Sequence, residues 1–283
     1  AQMRTTHTKK KYFIKKNSII KIYNKNNFSN NKNIYLYPYV DLNYLKVGTK
    51  IDIGFNSLSI QVIKKNPLKK YLSCKVIKSG HLESKKGVHI HSKINLPCLT
   101  EKDKYALKLA KKLKIKYYAI SFVNRHKDLE EVKNITGNKS FIISKIETEN
   151  AITNLDKITK NSDALLIDRG DLSRYVPIEK IPMAQEIIIK QSKRLNKPTY
   201  VATNLLENMI KETQPTRAES HDIYSTLKEG ATGLVLAAET AIGSNPVACV
   251  KFLKRCINVF ERNKNKSKLN RKDKKNYLFR LSP

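Results

Sequence analysis

A chain of 283 residues is long enough for one large domain or a domain with a smaller companion, and a hydrophobic fraction of 40% can build a core. No apolar run approaches a membrane span, no secretory signal leads the chain, and four cysteines without a CxxC pair argue against a disulfide or zinc scaffold. Charge is the anomaly, with 56 Lys and Arg against 24 Asp and Glu, a net of +32.

The basic excess gathers at the ends. Nine basic residues precede Asp41, the first acid, and the stretch from Arg262 to Pro283 sets nine against Asp273. Such ends can hold phosphate backbones or an anionic surface. Lysine and asparagine also recur together, as in "IYNKNNFSNNKNI", so compositional bias is preferred and a nucleic-acid partner is not favoured. Cys74, Cys98, Cys249 and Cys256 fit buried thiols in a reducing compartment. The cytoplasm is therefore expected, with an organelle such as a plastid or mitochondrion as the alternative. The chain opens on Ala with Met at position 3, so the true N-terminus is expected upstream.

In chain order, residues 12–95 read as a β-rich barrel or sandwich. "YFIKKNSIIKIY", "GTKIDIGF", "LSIQVIKK" and "YLSCKVIKSG" are short alternating segments with turn residues between them. His89 and His91 share one strand face, but no third ligand type is close in sequence, so a metal role is not assigned to them. A domain boundary is placed near Asn95. Thr100 with Asp103 reads as a capping box opening the helix "TEKDKYALKLAKKL". Five strand–helix units follow: "YYAISFV" then "HKDLEEVKNI"; "FIISKI" then "ENAITNLDKI"; "ALLID" then "EKIPMAQEIIIKQSKRL"; "PTYVAT" then "RAESHDIYSTLKEG"; "GLVLAAE" then "PVACVKFLKRCINVFE". Continuous apolar strands separated by helices predict a parallel sheet, either a β/α barrel or a doubly wound sheet. An eight-stranded barrel would need three more strands.

Active sites of such arrays form at the C-terminal strand ends. There the chain offers Ser121, Asn124 and Arg125; then Ser144, Lys145 and Glu147; then Asp168 to Asp171; then Thr203 and Asn204; and last Glu239 and Thr240. Lys145 and Glu147 are two apart and share a strand face. Glu147 and Asp171 end consecutive strands, and two carboxylates held together call for a cation. Hard oxygen donors fit Mg²⁺ or Mn²⁺, with Lys145 beside them to neutralise a phosphoryl group. Gly170 lets a backbone N–H approach an anion. Asp168 and Arg169 by themselves read as a surface salt-bridge cluster. Arg217 in "PTRAE" could cap the helix it opens, pair with Glu219 or bind an anion.

The segments "FIISKIETEN", "DRGDLSRYVPIE", "KPTYVATNLLENMI", "QPTRAESHDI" and "LVLAAETAIGSNPV" resemble, in this order and spacing, the pyruvate kinase family. "KKGVHIHSKINLPCLTEKD" and "AISFVNRHKDLEEV" resemble the stretch where that family's small β domain returns to its barrel, so the likeness covers residues 40–260. It implies a partial (β/α)8 barrel with an inserted small β domain: residues 1–95 β-rich with a remnant barrel strand at the start, 96–262 barrel, 263–283 a basic tail. It implies transfer of a phosphoryl group from phosphoenolpyruvate to ADP, giving pyruvate and ATP, with Mg²⁺ (or Mn²⁺) and K⁺, and a homo-oligomer at full length.

By resemblance, Lys145 is the phosphoryl-stabilising lysine, and Glu147 and Asp171 are the metal ligands. Gly170 and Asp171 give backbone donors to the substrate carboxylate, and Thr203 sits near the protonated enolate carbon. Lys86 reaches nucleotide from the small domain, and Arg4, matching an arginine just before that domain, joins Lys145 and Thr203 as catalytic. The departures are specific. The family's first two barrel strands are absent, with the residues that bind phosphate and K⁺, and so is its C-terminal domain. Its Asp-Asp-Gly reads Gly54-Phe55-Asn56, its Ala-Arg-Gly-Asp-Leu-Gly reads "DRGDLS", and its Ala-Thr-Gln reads "ATN". Five strands leave two sheet edges, so either the chain is a fragment or a partner covers them. A catalytically inactive homologue serving as a structural or nucleic-acid-associated subunit is the alternative. A metal-assisted aldolase-like enzyme is a third reading.

Overall fold

A computed structural model describes residues 1–54, 57–94 and 96–265. Phe55 and Asn56 of the altered Asp-Asp-Gly motif, Asn95 at the expected boundary, and the tail from 266 onward lie outside the described residues. The chain divides into two compact units, Ala1–Lys112 and the residues from Leu113 onward. Among the described residues no helix is long and apolar enough to cross a membrane.

Among the described residues the first unit holds nine strands: β1 (Arg4–Thr5), β2 (Tyr12–Ile14), β3 (Ile19–Tyr23), β4 (Asn33–Tyr37), β5 (Lys50–Ile53), β6 (Leu58–Asn66), β7 (Tyr71–Lys78), β8 (Gly80–Leu82) and β9 (Val88–Ile90). Seven form one sheet in the order β1-β4-β3-β7-β6-β5-β9, while β2 pairs with β8. The sheet's ends meet. Thr5 N donates to Lys86 O at 2.9 Å and Val88 N to Met3 O at 2.8 Å, so the sheet closes into a small barrel and hides its edges. Alternation makes this possible. Ile20 and Ile22, then Leu58, Ile60 and Val62, then Leu72, Cys74 and Val76 all point inward and are buried. Burial pushes the Cys74 thiol up to about 12, which leaves it an inert apolar filler.

The run "YFIKKNSIIKIY" is two strands, not one. Asn17 turns the chain at φ +68, a conformation asparagine tolerates better than most residues. A charged group also hides in this sheet. Asp52 is buried and accepts from Ser59 Oγ, pairs with His91 Nε2 at 2.6 Å, and meets Lys50 Nζ at 3.2 Å. Desolvation opposes the charged carboxylate, but Ser59, His91 and Lys50 together hold its pKa below the ordinary value. His91 thus has a structural partner that its sequence spacing did not show. Helix α1 (Glu101–Lys112) ends the unit, and Thr100 and Asp103 form the expected reciprocal cap, with Thr100 N to Asp103 Oδ2 at 2.8 Å and Asp103 N to Thr100 Oγ1 at 3.2 Å.

The second unit is a five-stranded parallel sheet: β10 (Tyr117–Ile120), β11 (Phe141–Ile146), β12 (Ala164–Asp168), β13 (Thr199–Ala202) and β14 (Gly233–Val235). Its spatial order is the chain order, β10-β11-β12-β13-β14. A doubly wound sheet reverses direction at a switch point; this one does not, so the barrel-type winding is correct. The helices are α2 (His126–Thr136), α3 (Glu149–Thr153), α4 (Leu155–Asn161), α5 (Arg169–Leu172), α6 (Ile181–Arg194), α7 (Arg217–Glu229), α8 (Ala238–Ala241) and α9 (Pro246–Asn265). They pack in the same succession, α2 on α4, α4 on α6, α6 on α7 and α7 on α9. Ile142, Ser144 and Ile146 of β11 are fully buried on one face, while Phe141, Ile143 and Lys145 alternate onto the less covered face.

Three elements differ from expectation. "YYAISFV" stops as a strand at Ile120, ahead of Phe122 at φ +55. "ENAITNLDKI" is broken into α3 and α4 at Asn154, whose amide donates to Asn124 O at 3.0 Å and Asn150 O at 2.9 Å. Such local side-chain bonds compete with the helical ladder. "GLVLAAE" stops as a strand at Val235, because Glu239 folds back to accept from Ala237 N at 2.8 Å. Gly230 closes α7 as predicted, at φ +111; the Lys193 side chain lies so close that an added Cβ would meet Cε at 2.0 Å.

Candidate active site at the C-terminal ends of the parallel strands

Parallel register decides which side chains meet. Lys145 stands opposite Leu166 and Ile146 opposite Ile167, so the end of β11 and the end of β12 present Lys145, Glu147 and Asp168 together. Lys145 Nζ lies 2.7 Å from Glu147 Oε1 and 3.0 Å from Asp168 Oδ2. Glu147 is 0% exposed, and its Oε2 accepts the Phe122 N–H at 2.5 Å. Its Oε1 takes the charge of Lys145 but makes no well-aligned hydrogen bond. One carboxylate oxygen from each of Glu147, Asp168 and Asp171 lies within 4.8 Å of the other two. Arg174 Nε meets Asp171 Oδ1 at 3.3 Å. Three acids thus face two cations, which leaves a surplus negative charge.

Burial dominates the electrostatics. It raises the Glu147 pKa, and the adjacent Lys145 ammonium and the Phe122 N–H offset only part of that. For Lys145, burial alone would favour the neutral amine, but Glu147 and Asp168 outweigh it and hold the ammonium charged. Burial also raises Tyr175, which lies in the field of Arg174, Asp171 and Glu147.

The backbone is strained where the strands end. Phe122, Thr203 and Asn204 all have positive φ, at +55, +71 and +56. For a β-branched residue such as Thr203 this conformation is costly and must be held by its surroundings. Gly170 N donates to Thr203 Oγ1 at 2.8 Å, and Arg169 Nε and Nη2 donate to Thr203 O at 3.2 and 2.8 Å. Arg169 is itself fixed by Asp222, with Nη1 to Oδ1 and Nη2 to Oδ2 both at 2.8 Å. Asp168 caps α5 by accepting from Asp171 N at 3.4 Å.

The structure therefore brings Lys145, Glu147, Gly170, Asp171 and Thr203 together, and adds Asp168, which reads from sequence as an unremarkable salt-bridge residue. Arg169 is an internal clamp on α7 and β13 rather than a surface ion pair. Ser144 lies on the opposite face and bonds Ser162 Oγ at 2.6 Å, and Glu239 is buried and accepts from Leu206 N at 3.1 Å. Neither belongs to the cluster. Thr216 and Glu219 form the cap of α7, with Glu219 N to Thr216 Oγ1 at 3.1 Å and Thr216 N to Glu219 Oε2 at 2.6 Å, so Arg217 is not the cap. Arg4 and Lys86 belong to the first unit. Arg4 bridges Gly87 in the closing strand pair and donates to Lys85 O at 3.1 Å, while Lys86 Nζ pairs with Glu83 at 3.0 Å.

The site's oxygen donors suit a hard divalent cation. Three carboxylates converge, and the fully buried Glu147 Oε1 has the Lys145 ammonium beside it at 2.7 Å, which shows that this oxygen takes a cation. Comparison with known proteins points the same way. A family model described as pyruvate kinase, barrel domain, matches residues 1–250. The chain is 34% identical over 217 residues to a pyruvate kinase of Staphylococcus aureus (strain MRSA252), covering 75% of this chain and 37% of that protein. It is 38% identical over 184 residues to a pyruvate kinase of Methylorubrum extorquens, covering 65% of this chain and 38% of the relative. It is 35% identical over 194 residues to one of Agrobacterium vitis, covering 68% and 40%. The matched region thus spans about two fifths of the length of these curated relatives. A barrel-type sheet wound in chain order, a lysine among three carboxylates at its C-terminal end, and a family match across most of the sequence agree: the chain belongs to the pyruvate kinase family.

Proposed function

We propose that the chain carries the phosphoryl-transfer centre of a pyruvate kinase, which moves a phosphoryl group from phosphoenolpyruvate to ADP. The observation that supports this most is the Lys145 ammonium set between Glu147 and Asp168, with Asp171 in reach. In the reaction a β-phosphate oxygen of ADP bonds to phosphorus, the bond from phosphorus to the enol oxygen breaks, and the enolate takes a proton at its methylene carbon. Such a transfer needs position and charge more than covalent help. Glu147 and Asp171 would hold Mg²⁺ or Mn²⁺, which supplies positive charge to the phosphoryl oxygens. Lys145 places a fixed ammonium where negative charge develops, in a site dry enough for it to count. Thr203, whose hydroxyl oxygen accepts from the Gly170 N–H, would stand near the enolate carbon that is protonated. K⁺ enters this reading as a requirement of the family, without a residue set on this chain.

A second reading, an inactive homologue in a structural role, draws on one contact. The Gly170 N–H assigned to the substrate carboxylate already donates to Thr203 Oγ1. ATP formation from phosphoenolpyruvate and ADP separates the two. The first reading expects formation that needs Mg²⁺, stops with EDTA and returns when Mg²⁺ is restored. Absence of Mg²⁺-dependent ATP formation with K⁺ present would leave the second.

A further inference from the structure

Asp168 has no part in the chemistry above, yet it makes one of the two ion pairs of Lys145. The ammonium sits 2.7 Å from Glu147 and 3.0 Å from Asp168, which is where a cation between those acids would sit. Lys145 is therefore a competitor for the site as well as a member of it. A divalent ion that takes Glu147 Oε1 must push the ammonium off that oxygen, because two cations cannot share it at contact distance. The lysine side chain is only 20% exposed, and a buried ammonium released without a partner is strongly disfavoured.

Asp168 is placed to solve that problem. Its Oδ1 accepts from Asp171 N at 3.4 Å, which ties the carboxylate to the head of α5, and lies 3.4 Å from Thr203 Oγ1, whose proton has Ala202 O as the nearer acceptor at 2.6 Å. Its Oδ2 lies 3.0 Å from Lys145 Nζ, a second acid in contact with the ammonium besides Glu147. We propose that Asp168 is a positioning residue that retains the Lys145 ammonium when a divalent cation takes Glu147, so that cation and lysine occupy the site together. The proposal rests on the metal reading of Glu147 and Asp171, and it makes Asp168 act through Lys145 rather than as a ligand.

The distinction is measurable as a coupling between two substitutions. Mn²⁺ affinity of the chain is measured by the electron paramagnetic resonance of free Mn²⁺, for the unaltered protein, Asp168→Asn, Lys145→Met and the double variant. Asparagine keeps an oxygen for the Asp171 amide, so the cap of α5 is preserved. Asp168→Asn is expected to weaken Mn²⁺ binding about tenfold when Lys145 is present, but no more than about twofold in the Lys145→Met background. Lys145→Met alone is expected to tighten binding. Asp168→Glu, which keeps the charge, is expected to stay within about threefold of the unaltered protein and guards against a folding defect in the asparagine variant. Equal weakening in both backgrounds would make Asp168 a direct ligand and overturn the proposal, as would no weakening in either. Mn²⁺ that fails to bind the unaltered chain would instead overturn the metal reading beneath it.

Discussion

Replacing Lys145 by methionine is expected to lower ATP formation from phosphoenolpyruvate by about 10²–10³-fold, the loss typical of removing one fixed charge-stabilising donor from an active site. Methionine keeps most of the side chain's length, so the packing of β11 survives and the ammonium alone is removed. The effect should fall mainly on kcat, because the charge it neutralises develops during transfer. A second consequence separates this variant from a general defect. Without the ammonium, Glu147 and Asp168 face each other in a buried site, so the melting temperature should drop in EDTA and recover with Mg²⁺. ATP formation within about threefold of the unaltered protein would remove Lys145 from the chemistry.

Arg169→Met is expected to have the largest effect on stability. Its guanidinium is 11% exposed and joins three elements, because it pairs with Asp222 on α7 and donates twice to Thr203 O beyond β13. Breaking a buried pair usually costs about 3–5 kcal/mol, since the partner is left charged and alone. Asp222 is 35% exposed and can turn to water, so a loss of about 2–3 kcal/mol is expected here, read as a lower urea midpoint. Activity should fall as well, because the freed Thr203 can leave its strained conformation and take its hydroxyl from Gly170. Arg169→Lys should recover only a minor part, as an ammonium cannot bond Asp222 and Thr203 O in the same plane. A midpoint change worth less than about 0.5 kcal/mol would show that the clamp contributes little.

The strand–helix succession was legible because each strand of a covered parallel sheet is apolar along its length and each helix carries caps. "FIISKI" and "ALLID" have the predicted ends, and Gly230 closes α7 where expected. The order of the sheet was not legible, since the same pattern suits a barrel and a doubly wound sheet until hydrogen bonding is seen. Lys145 and Glu147 could be paired from their spacing of two. Asp168 could not be added, because that requires the register of β12 against β11, and register is a tertiary quantity. The same holds for Arg169, whose partner is more than fifty positions away on a helix whose placement the sequence does not state. Asp52 and His91 were hidden for the same reason, on β5 and just past β9, two strands far apart in sequence that pair antiparallel in the sheet. Local propensity and periodicity thus reveal elements, whereas the site is assembled by register and by the turns that follow each strand.

The most direct measurement of the central claim is Mn²⁺ binding by the unaltered chain and by Glu147→Gln. Glutamine keeps the shape and the acceptor for Phe122 N, but removes the charge that a divalent ion needs. One Mn²⁺ per chain is expected, displaced by Mg²⁺, with affinity falling at least about tenfold in the variant. One Mn²⁺ bound with equal affinity by both proteins would place the ion elsewhere and contradict the assignment of this carboxylate cluster as the metal-binding centre.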